Sequence, residues 1–111
     1  DVFLNIVGGF RLDEPAGDLS VALALYSGFY DFPLDEKMVA FGEIGLGGEI
    51  RSTSNISQRI REAERIGFTH CIIPKQSMRF VDTSKVNIKL TAVASVKQAF
   101  YVVKNQNNDA V

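Results

Sequence analysis

Residues 42–51 read GEIGLGGEIR, in which the tripeptide Gly-Glu-Ile occurs twice around a glycine-rich segment. The glycines among residues 45–48 permit positive φ angles, so this segment predicts a tight turn. A strand over residues 38–45 leads into the turn, and a second strand over residues 49–51 leaves it. The repeated tripeptide is too short to indicate a repeat protein. The pattern therefore predicts a β-hairpin in the middle of the chain.

Strands and helices alternate on both sides of this hairpin. Upstream, the apolar residues 2–9 predict a buried strand, and Pro15 after two acidic residues is typical of the start of a helix. That helix runs to about Tyr30 and is apolar on nearly all faces, which predicts a central position. The downstream elements are a helix from Ser54 or Asn55 to about Ile66 with Gly67 as its stop, a buried strand over residues 71–73 ended by Pro74, a half-exposed strand over residues 86–91, and an amphipathic helix over residues 96–103. This order predicts an α/β (α+β) fold, a two-layer sandwich with a mixed sheet.

The length and composition fit one globular domain. The chain has 111 residues, of which 46% are hydrophobic and 23% charged, close to the average for soluble domains. Its apolar runs fall short of the roughly 20 residues that span a bilayer, so no membrane partner is expected. We expect one domain over residues 1–104 and a polar tail over residues 105–111. The chain starts with Asp1 and an apolar strand, so we expect it to be a fragment of a longer protein.

The formal net charge of −1 conceals a division between the two halves of the sequence. Residues 1–50 carry two basic and nine acidic side chains, a net charge of −7. Residues 51–111 carry ten basic and four acidic side chains, a net charge of +6. Such an asymmetry suits a head-to-tail ring in which an acidic surface meets a basic surface of the next subunit. It also leaves basic side chains for a nucleic acid.

Residues that could support metal or nucleotide chemistry are sparse. His70 is the single histidine and Cys71 the single cysteine, and neighbours on a strand point to opposite faces, so the two are not expected to share a metal ion. We expect Cys71 to be buried and His70 to lean toward the surface. A phosphate-binding loop of the form GxxxxGK[ST] does not occur in the sequence, so nucleotide binding by this chain is not expected.

Arginines concentrated between residues 51 and 65 are the strongest physical signal. Arginine suits planar, bidentate contact with carboxylate or phosphate groups. The candidates for contact with DNA or with a neighbouring subunit are Arg51, Arg59, Arg61 and Arg65. A solvated helix face, partly neutralised by Glu62 and Glu64, is the alternative for some of them. Aromatic residues do not interleave with these arginines, so a stacking platform for single strands is not supported.

Two glutamates flank the hairpin turn. Glu43 and Glu49 are either exposed edge charges that prevent pairing between sheets or contacts with a neighbouring subunit. Sequence alone favours neither possibility.

Four segments give the chain a family resemblance: residues 1–9 (DVFLNIVGG), residues 14–19 (EPAGDL), the hairpin block 42–51, and residues 58–68 (QRIREAERIGF). In this order they resemble the C-terminal domain of bacterial RadA (Sms) DNA-repair proteins. The resemblance extends to about Lys104. It implies the fold of the Lon proteolytic domain, which is of the ribosomal protein S5 domain 2 type.

Lon proteases use a Ser–Lys dyad, and the resemblance places both positions in this chain. The Lon serine lies in an Asp-Gly-Pro-Ser-Ala-Gly run, which corresponds to residues 13–18 here, so Ala16 occupies the serine position. The lysine position corresponds to Ser57. The resemblance therefore implies a protease fold without peptidase activity in this domain. A Lon-type peptidase with relocated catalytic residues, for which Ser20 and Ser57 are the candidates, remains the alternative.

The resemblance also implies a role and partners. RadA proteins carry a zinc segment and a RecA-like ATPase upstream, so Zn, Mg and ATP are expected there and no cofactor in this chain. The full-length protein is expected to be a cytoplasmic DNA-dependent ATPase that forms a hexameric ring and promotes branch migration. This domain is expected to be a scaffold that contacts its neighbours and DNA, without a small-molecule substrate. An oligomerisation module without DNA contact is a further alternative.

Overall fold

The structure is a computed structural model that describes residues 6–7, 10–11 and 14–109. The strands of this part are β1 (Ile6–Val7), β2 (Phe10–Arg11), β3 (Met38–Ala40), β4 (Glu43–Ile44), β5 (Ile50–Arg51), β6 (His70–Pro74) and β7 (Lys89–Val93). The α-helices are α1 (Asp18–Tyr30), α2 (Ile56–Ile66) and α3 (Val96–Asp109). Short 3-10 turns cover Pro15–Gly17, Lys75–Phe80 and Thr83–Lys85.

A three-stranded parallel sheet forms the centre, in the order β3-β6-β7. The predicted hairpin is confirmed, because β4 and β5 pair antiparallel around a turn in which Gly48 has a φ of 83°. A bridge between Glu49 and Ser95 ties this hairpin to the end of β7. The α/β class is therefore confirmed, and the parallel and antiparallel pairings fall in separate sheets of the described chain.

Helices cover both faces of the parallel sheet. Neighbouring residues of a strand face opposite sides of the sheet. Because both sides are covered, all residues of β6 are buried. Ile72 packs with Leu19 and Leu23 of α1 and with Ala99 and Val103 of α3. Cys71 and Ile73 pack on the other side with Ile56, Ile60 and Ala63 of α2. The two-layer expectation therefore needs correction, because α2 adds a layer opposite α1 and α3.

The helix ends follow the sequence signals in part. Gly67 ends α2 with a φ of 115°, as predicted. Asn55 precedes α2 in the left-handed region, with a φ of 57°, and its side chain makes no capping hydrogen bond, contrary to the prediction. Pro15 begins a 3-10 turn, and α1 itself starts at Asp18.

Other boundaries differ from the sequence expectations. The last strand is Lys89–Val93 instead of residues 86–91, because residues 83–85 form a 3-10 turn that Val86 closes. The helix α3 continues to Asp109, into the expected polar tail. Of the strand predicted over residues 2–9, only Ile6–Val7 lies within the described residues.

The first helix is buried on one side only. Leu19 and Leu23 are buried, whereas Leu25 and Phe29 are 70% and 81% exposed. The prediction of a helix surrounded by core therefore holds for one face. Throughout the described ranges, no helix combines the length and apolar character needed to cross a bilayer.

Candidate functional site

A cleft of about 220 Å³ lies between the start of α1 and the segment that joins β5 to α2. Its lining residues are Glu14, Pro15, Ala16, Glu43, Ser52, Thr53, Ser54 and Arg59. Ala16 occupies one wall and is 7% exposed, and its carbonyl oxygen accepts a hydrogen bond of 3.0 Å from the Gly42 N–H. At the position where the resemblance places a serine, the cleft therefore presents a methyl group, which cannot attack a carbonyl.

Ser57 does not line this cleft. It stands in the first turn of α2, and its hydroxyl donates a 2.9 Å hydrogen bond to the carbonyl oxygen of Phe80. That bond fastens α2 to the end of a 3-10 turn. Ala16 and Ser57, which the resemblance assigns to the Lon dyad, thus take part in packing and local hydrogen bonding in this chain.

Arg59 closes the cleft through contacts within the chain. Its guanidinium lies 2.5 Å from Glu14 Oε1, and its Nε donates to the Ser54 carbonyl oxygen at 2.8 Å. The same group stands 5.9 Å from the centroid of the Phe41 ring. The Arg59 side chain is only 16% exposed. Because Nε and one terminal nitrogen of the guanidinium make these contacts, Arg59 holds α2 against the segment before α1.

Thr53 is a polar residue of this cleft that sequence reasoning missed. It is 6% exposed, and its hydroxyl has no hydrogen-bond partner within the described chain. Its backbone N–H donates a 3.0 Å bond to the hydroxyl of Ser77, which is fully buried. A threonine within a loop carries no sequence signal of burial, so the burial of Thr53 could not be predicted from the sequence.

Arg51 contacts the two glutamates that flank the hairpin. Its guanidinium nitrogens lie 3.9 Å from Glu43 Oε1 and 3.7 Å from Glu49 Oε2, and all three side chains are substantially exposed. Backbone N–H groups of Glu49 and Gly47, and then Arg51, lower the pKa of Glu49 below its usual value. Arg51 was predicted as a basic contact, and Glu43 and Glu49 as acidic ones. In the structure these three side chains contact one another and support the hairpin.

Arg61 and Arg65 lie on the outward side of α2. Arg65 forms a two-point contact with Glu62, with Nε donating to Oε2 at 3.0 Å. This contact lowers the pKa of Glu62 and raises that of Arg65. Arg61 is exposed, and no ion pair involves it in the described part of the chain. The structure therefore separates the four arginines: Arg51 supports the hairpin, Arg59 closes the cleft, and Arg61 and Arg65 face outward.

With this geometry established, comparisons with known proteins show the family. A protein-family model described as subunit ChlI of Mg-chelatase matches residues 6–77, more than half of the chain. The chain belongs to this family.

Curated relatives of this ChlI-family chain carry the name DNA repair protein RadA. The protein from Streptococcus pyogenes serotype M3 is 42% identical over 103 residues, which cover 93% of the chain and 22% of that protein. The protein from Synechocystis is 38% identical over 109 residues, covering 98% of the chain and 21% of that protein. The protein from Mycolicibacterium smegmatis is 35% identical over 104 residues, covering 94% of the chain and 22% of that protein. The chain thus spans about a fifth of the length of these relatives.

His70 in this ChlI-family chain is a core residue, so the expectation that it leans toward the surface is wrong. It is 4% exposed, its Nε2 lies 2.7 Å from the Thr91 hydroxyl, and its Nδ1 lies 2.6 Å from Gln106 Nε2. Burial and then Lys89 lower its pKa, against the opposing effect of Asp35. Both partners lie far from His70 in sequence, which is why sequence reasoning missed them.

Cys71 is buried as predicted, and burial raises its thiol pKa to about 12. The thiol therefore stays protonated and unreactive at neutral pH. Within the described ranges of this ChlI-family chain, no three metal-ligating side chains come together in a possible metal site.

Proposed function

We propose that this chain is a non-catalytic, Lon-like scaffold domain of a RadA-type DNA repair and recombination ATPase. In this role it mediates assembly of a hexameric ring and helps to hold DNA during branch migration. One observation carries the proposal: the RadA relatives match more than nine-tenths of the chain. In support, Ala16, which the resemblance places at the Lon serine position, lies in the wall of a cleft. Those matches extend well beyond residue 77, where the ChlI match ends.

The chemistry of the cleft supports a non-catalytic role. A serine peptidase needs a nucleophile and a neighbouring base within hydrogen-bond reach. The lining residues include neither lysine nor histidine, and the guanidinium of Arg59 has only hydrogen-bond donors, so it offers no acceptor for the proton of a nucleophile. The serine hydroxyls at Ser20 and Ser57 donate to backbone carbonyl oxygens of Ala40 and Phe80. We therefore favour the scaffold role over peptidase activity.

Two arginines carry the proposed contact of α2 with DNA. Arg61 is exposed without an ion pair among the described residues, and Arg65 pairs only with the exposed Glu62. A surface pair of this kind contributes little stability and exchanges readily for another anion. Arg51 is the third candidate, since its carboxylate contacts are long and exposed. Arg59 is committed to the cleft, so we leave it out of the DNA contact.

The ring proposal is supported by the division of charge. The first half of the sequence carries a net charge of −7 and the second half +6. Arg59 with Glu14, and Arg51 with Glu43 and Glu49, pair part of this charge within the chain, and the unpaired remainder favours contact between unlike surfaces of neighbouring subunits. In such a ring, ATP, Mg and Zn would be bound by other parts of the longer protein. Sedimentation analysis of the full-length protein tests this step: we expect a hexamer, and a monomer at working concentration would contradict it.

DNA binding across a series of salt concentrations tests the nucleic-acid step. In the full-length protein, Arg61→Gln and Arg65→Gln should each weaken binding to duplex DNA and lower the slope of log affinity against log salt by about 0.9. Lys37→Gln removes one exposed charge beside the amino end of β6 and serves as the control. Unchanged affinity and slope in both arginine variants would contradict DNA contact by this face and leave an oligomerisation module.

A peptide-cleavage assay tests the non-catalytic step separately. We expect no hydrolysis by the wild-type protein beyond background. Hydrolysis that disappears in Ser20→Ala or in Ser57→Ala would show a peptidase with relocated catalytic residues.

A further inference from the structure

A groove of about 700 Å³ opens at the carboxyl ends of β6 and β7, on the side where α3 begins. Lys75 follows β6, Ser95 follows β7, and Lys97, Gln98 and Tyr101 come from the first turns of α3. The carboxyl ends of parallel strands are a frequent place for ligands in α/β folds, because loops and helix starts converge there. The size of the groove lies within the roughly 300–1,000 Å³ typical of ligand sites.

The charge of this groove is uncompensated. Lys75 and Lys97 are exposed, no ion pair engages either of them in the described chain, and none of the lining residues is acidic. Lys97 also stands in the first turn of α3, where the positive end of the helix dipole disfavours a cation. Both ammonium groups therefore remain available to an anion in the groove, which would also interact favourably with the start of α3.

Backbone N–H groups at the start of α3 already have hydrogen-bond partners, so the lysine side chains would provide the attraction for an anion. The Gln98 N–H donates to Ser95 Oγ at 3.1 Å, and the Ala94 N–H donates to Gln98 Oε1 at 2.7 Å. The Val96 N–H donates to the Gly48 carbonyl oxygen at 2.9 Å. An anion in the groove would therefore be held by the two ammonium groups.

An aromatic ring borders the same groove. Tyr101 is 70% exposed, and none of the ring contacts found among the described residues includes it. Leaving an aromatic ring in water forgoes the stabilisation that its burial would give. Beside two cations, such a ring has the composition of a platform on which nucleic-acid bases stack.

We propose that this groove binds single-stranded DNA, with Lys75 and Lys97 contacting successive phosphates and Tyr101 stacking on a base. The inference rests on the proposed function, which it deepens by naming the strand and its contacts. Single-stranded DNA fits better than duplex DNA because duplex bases are stacked on one another and offer no free face to Tyr101.

Fluorescence anisotropy of labelled oligothymidylate with the full-length protein tests the groove. Lys75→Gln and Lys97→Gln should each weaken binding and lower the salt slope by about 0.7, the value for one phosphate contact of a single strand. Tyr101→Ala should weaken binding at least about five-fold with the slope unchanged, because stacking releases no counterions. Tyr101→Phe keeps the ring and should restore wild-type affinity. Lys37→Gln at the opposite end of β6 should bind as wild type does.

The outcomes separate this inference from the proposed function. If the wild-type protein binds oligothymidylate and the three groove variants bind equally well, the groove is not the site, while the proposed function stands. If the wild-type protein binds neither single-stranded nor duplex DNA, both proposals fail. If Tyr101→Ala lowers the salt slope as the lysine variants do, or if Tyr101→Phe fails to restore affinity, base stacking on this ring is wrong. Circular dichroism of each variant checks that α3 is intact.

Discussion

The cleft beside Ala16 and the groove beside Lys75 both contain charged side chains, but these charges are arranged in opposite ways. In the cleft, Arg59 meets Glu14 at 2.5 Å and the ion pair is largely removed from water. In the groove, Lys75 and Lys97 have neither an acidic neighbour in the lining nor an ion pair in the described chain. The first arrangement contributes stability, whereas the second costs some and leaves charge available to a partner.

This difference shows that a basic residue identified in sequence is not yet a binding residue. Arg59 belongs to the arginine cluster identified in the sequence, and its guanidinium contacts Glu14 and the Ser54 carbonyl oxygen within the chain. Lys75 and Lys97 stand apart in sequence, and the fold brings them together.

Replacing Arg59 should give the largest effect on stability. Arg59→Ala breaks the ion pair with Glu14, the bond to Ser54 and the contact with the Phe41 ring, so we expect a loss of about 2 kcal/mol in the free energy of unfolding. Arg61→Ala removes an exposed charge on the same helix and should change stability by less than about 0.5 kcal/mol. Urea denaturation of both variants measures the contrast. Equal losses would show that the two arginines do not differ as described.

Lowering the pH should destabilise the fold through His70. Its folded-state pKa lies below the usual value of about 6.5, so the folded chain binds a proton less readily than the unfolded chain. The stabilisation from neutral His70 is therefore complete above about pH 6.5 and is lost as the pH falls through the folded-state pKa. Urea midpoints across this range should drop more steeply for wild type than for His70→Gln. Parallel curves for the two proteins would contradict this role.

Removing the unpartnered hydroxyl of the cleft should be mildly favourable. Thr53→Val keeps the shape and the backbone bond to Ser77 while replacing a buried oxygen that has no partner in the described chain, so we expect a gain of up to about 1 kcal/mol. The free energy of unfolding from urea titration measures it. A clear loss of stability would mean that the hydroxyl has a hydrogen-bond partner.

The smallest expected change concerns the groove. Lys97→Glu places an acid in the first turn of α3, where the helix dipole favours it, and should raise stability by about 0.5 kcal/mol at low salt. The same change should weaken binding of single-stranded DNA more than Lys97→Gln does. A variant that loses stability while keeping its affinity would reverse the contrast drawn between groove and cleft.

Sequence patterns predicted most of the local structure. The Gly45–Gly48 turn, the helix stop at Gly67 and the buried strand around Cys71 were correctly predicted because glycine geometry and short apolar runs are local signals. The burial of His70 was missed because its partners, Thr91 and Gln106, lie 21 and 36 residues away. The layer formed by α2 was missed because a stripe of apolar residues does not say which face of a sheet it covers.

The candidate site was predictable only in part. The family resemblance assigned Ala16 and Ser57 to the two dyad positions, and of these Ala16 lines the cleft whereas Ser57 lies outside the lining. The sequence showed no aromatic residue among the clustered arginines. The structure instead places Tyr101 near Lys75, because β6 and β7 pair in parallel and α3 packs beside them. Charge pairing and aromatic exposure are properties of the folded chain, so composition could not supply them.

Hydrogen–deuterium exchange of the full-length protein, with and without oligothymidylate, tests the central contrast most directly. We predict that DNA slows exchange in peptides that cover Lys75–Phe80 and the start of α3 around Lys97, while peptides around Pro15–Gly17 and Arg59 exchange at unchanged rates. Protection confined to the cleft peptides, with the groove unaffected, would contradict the account.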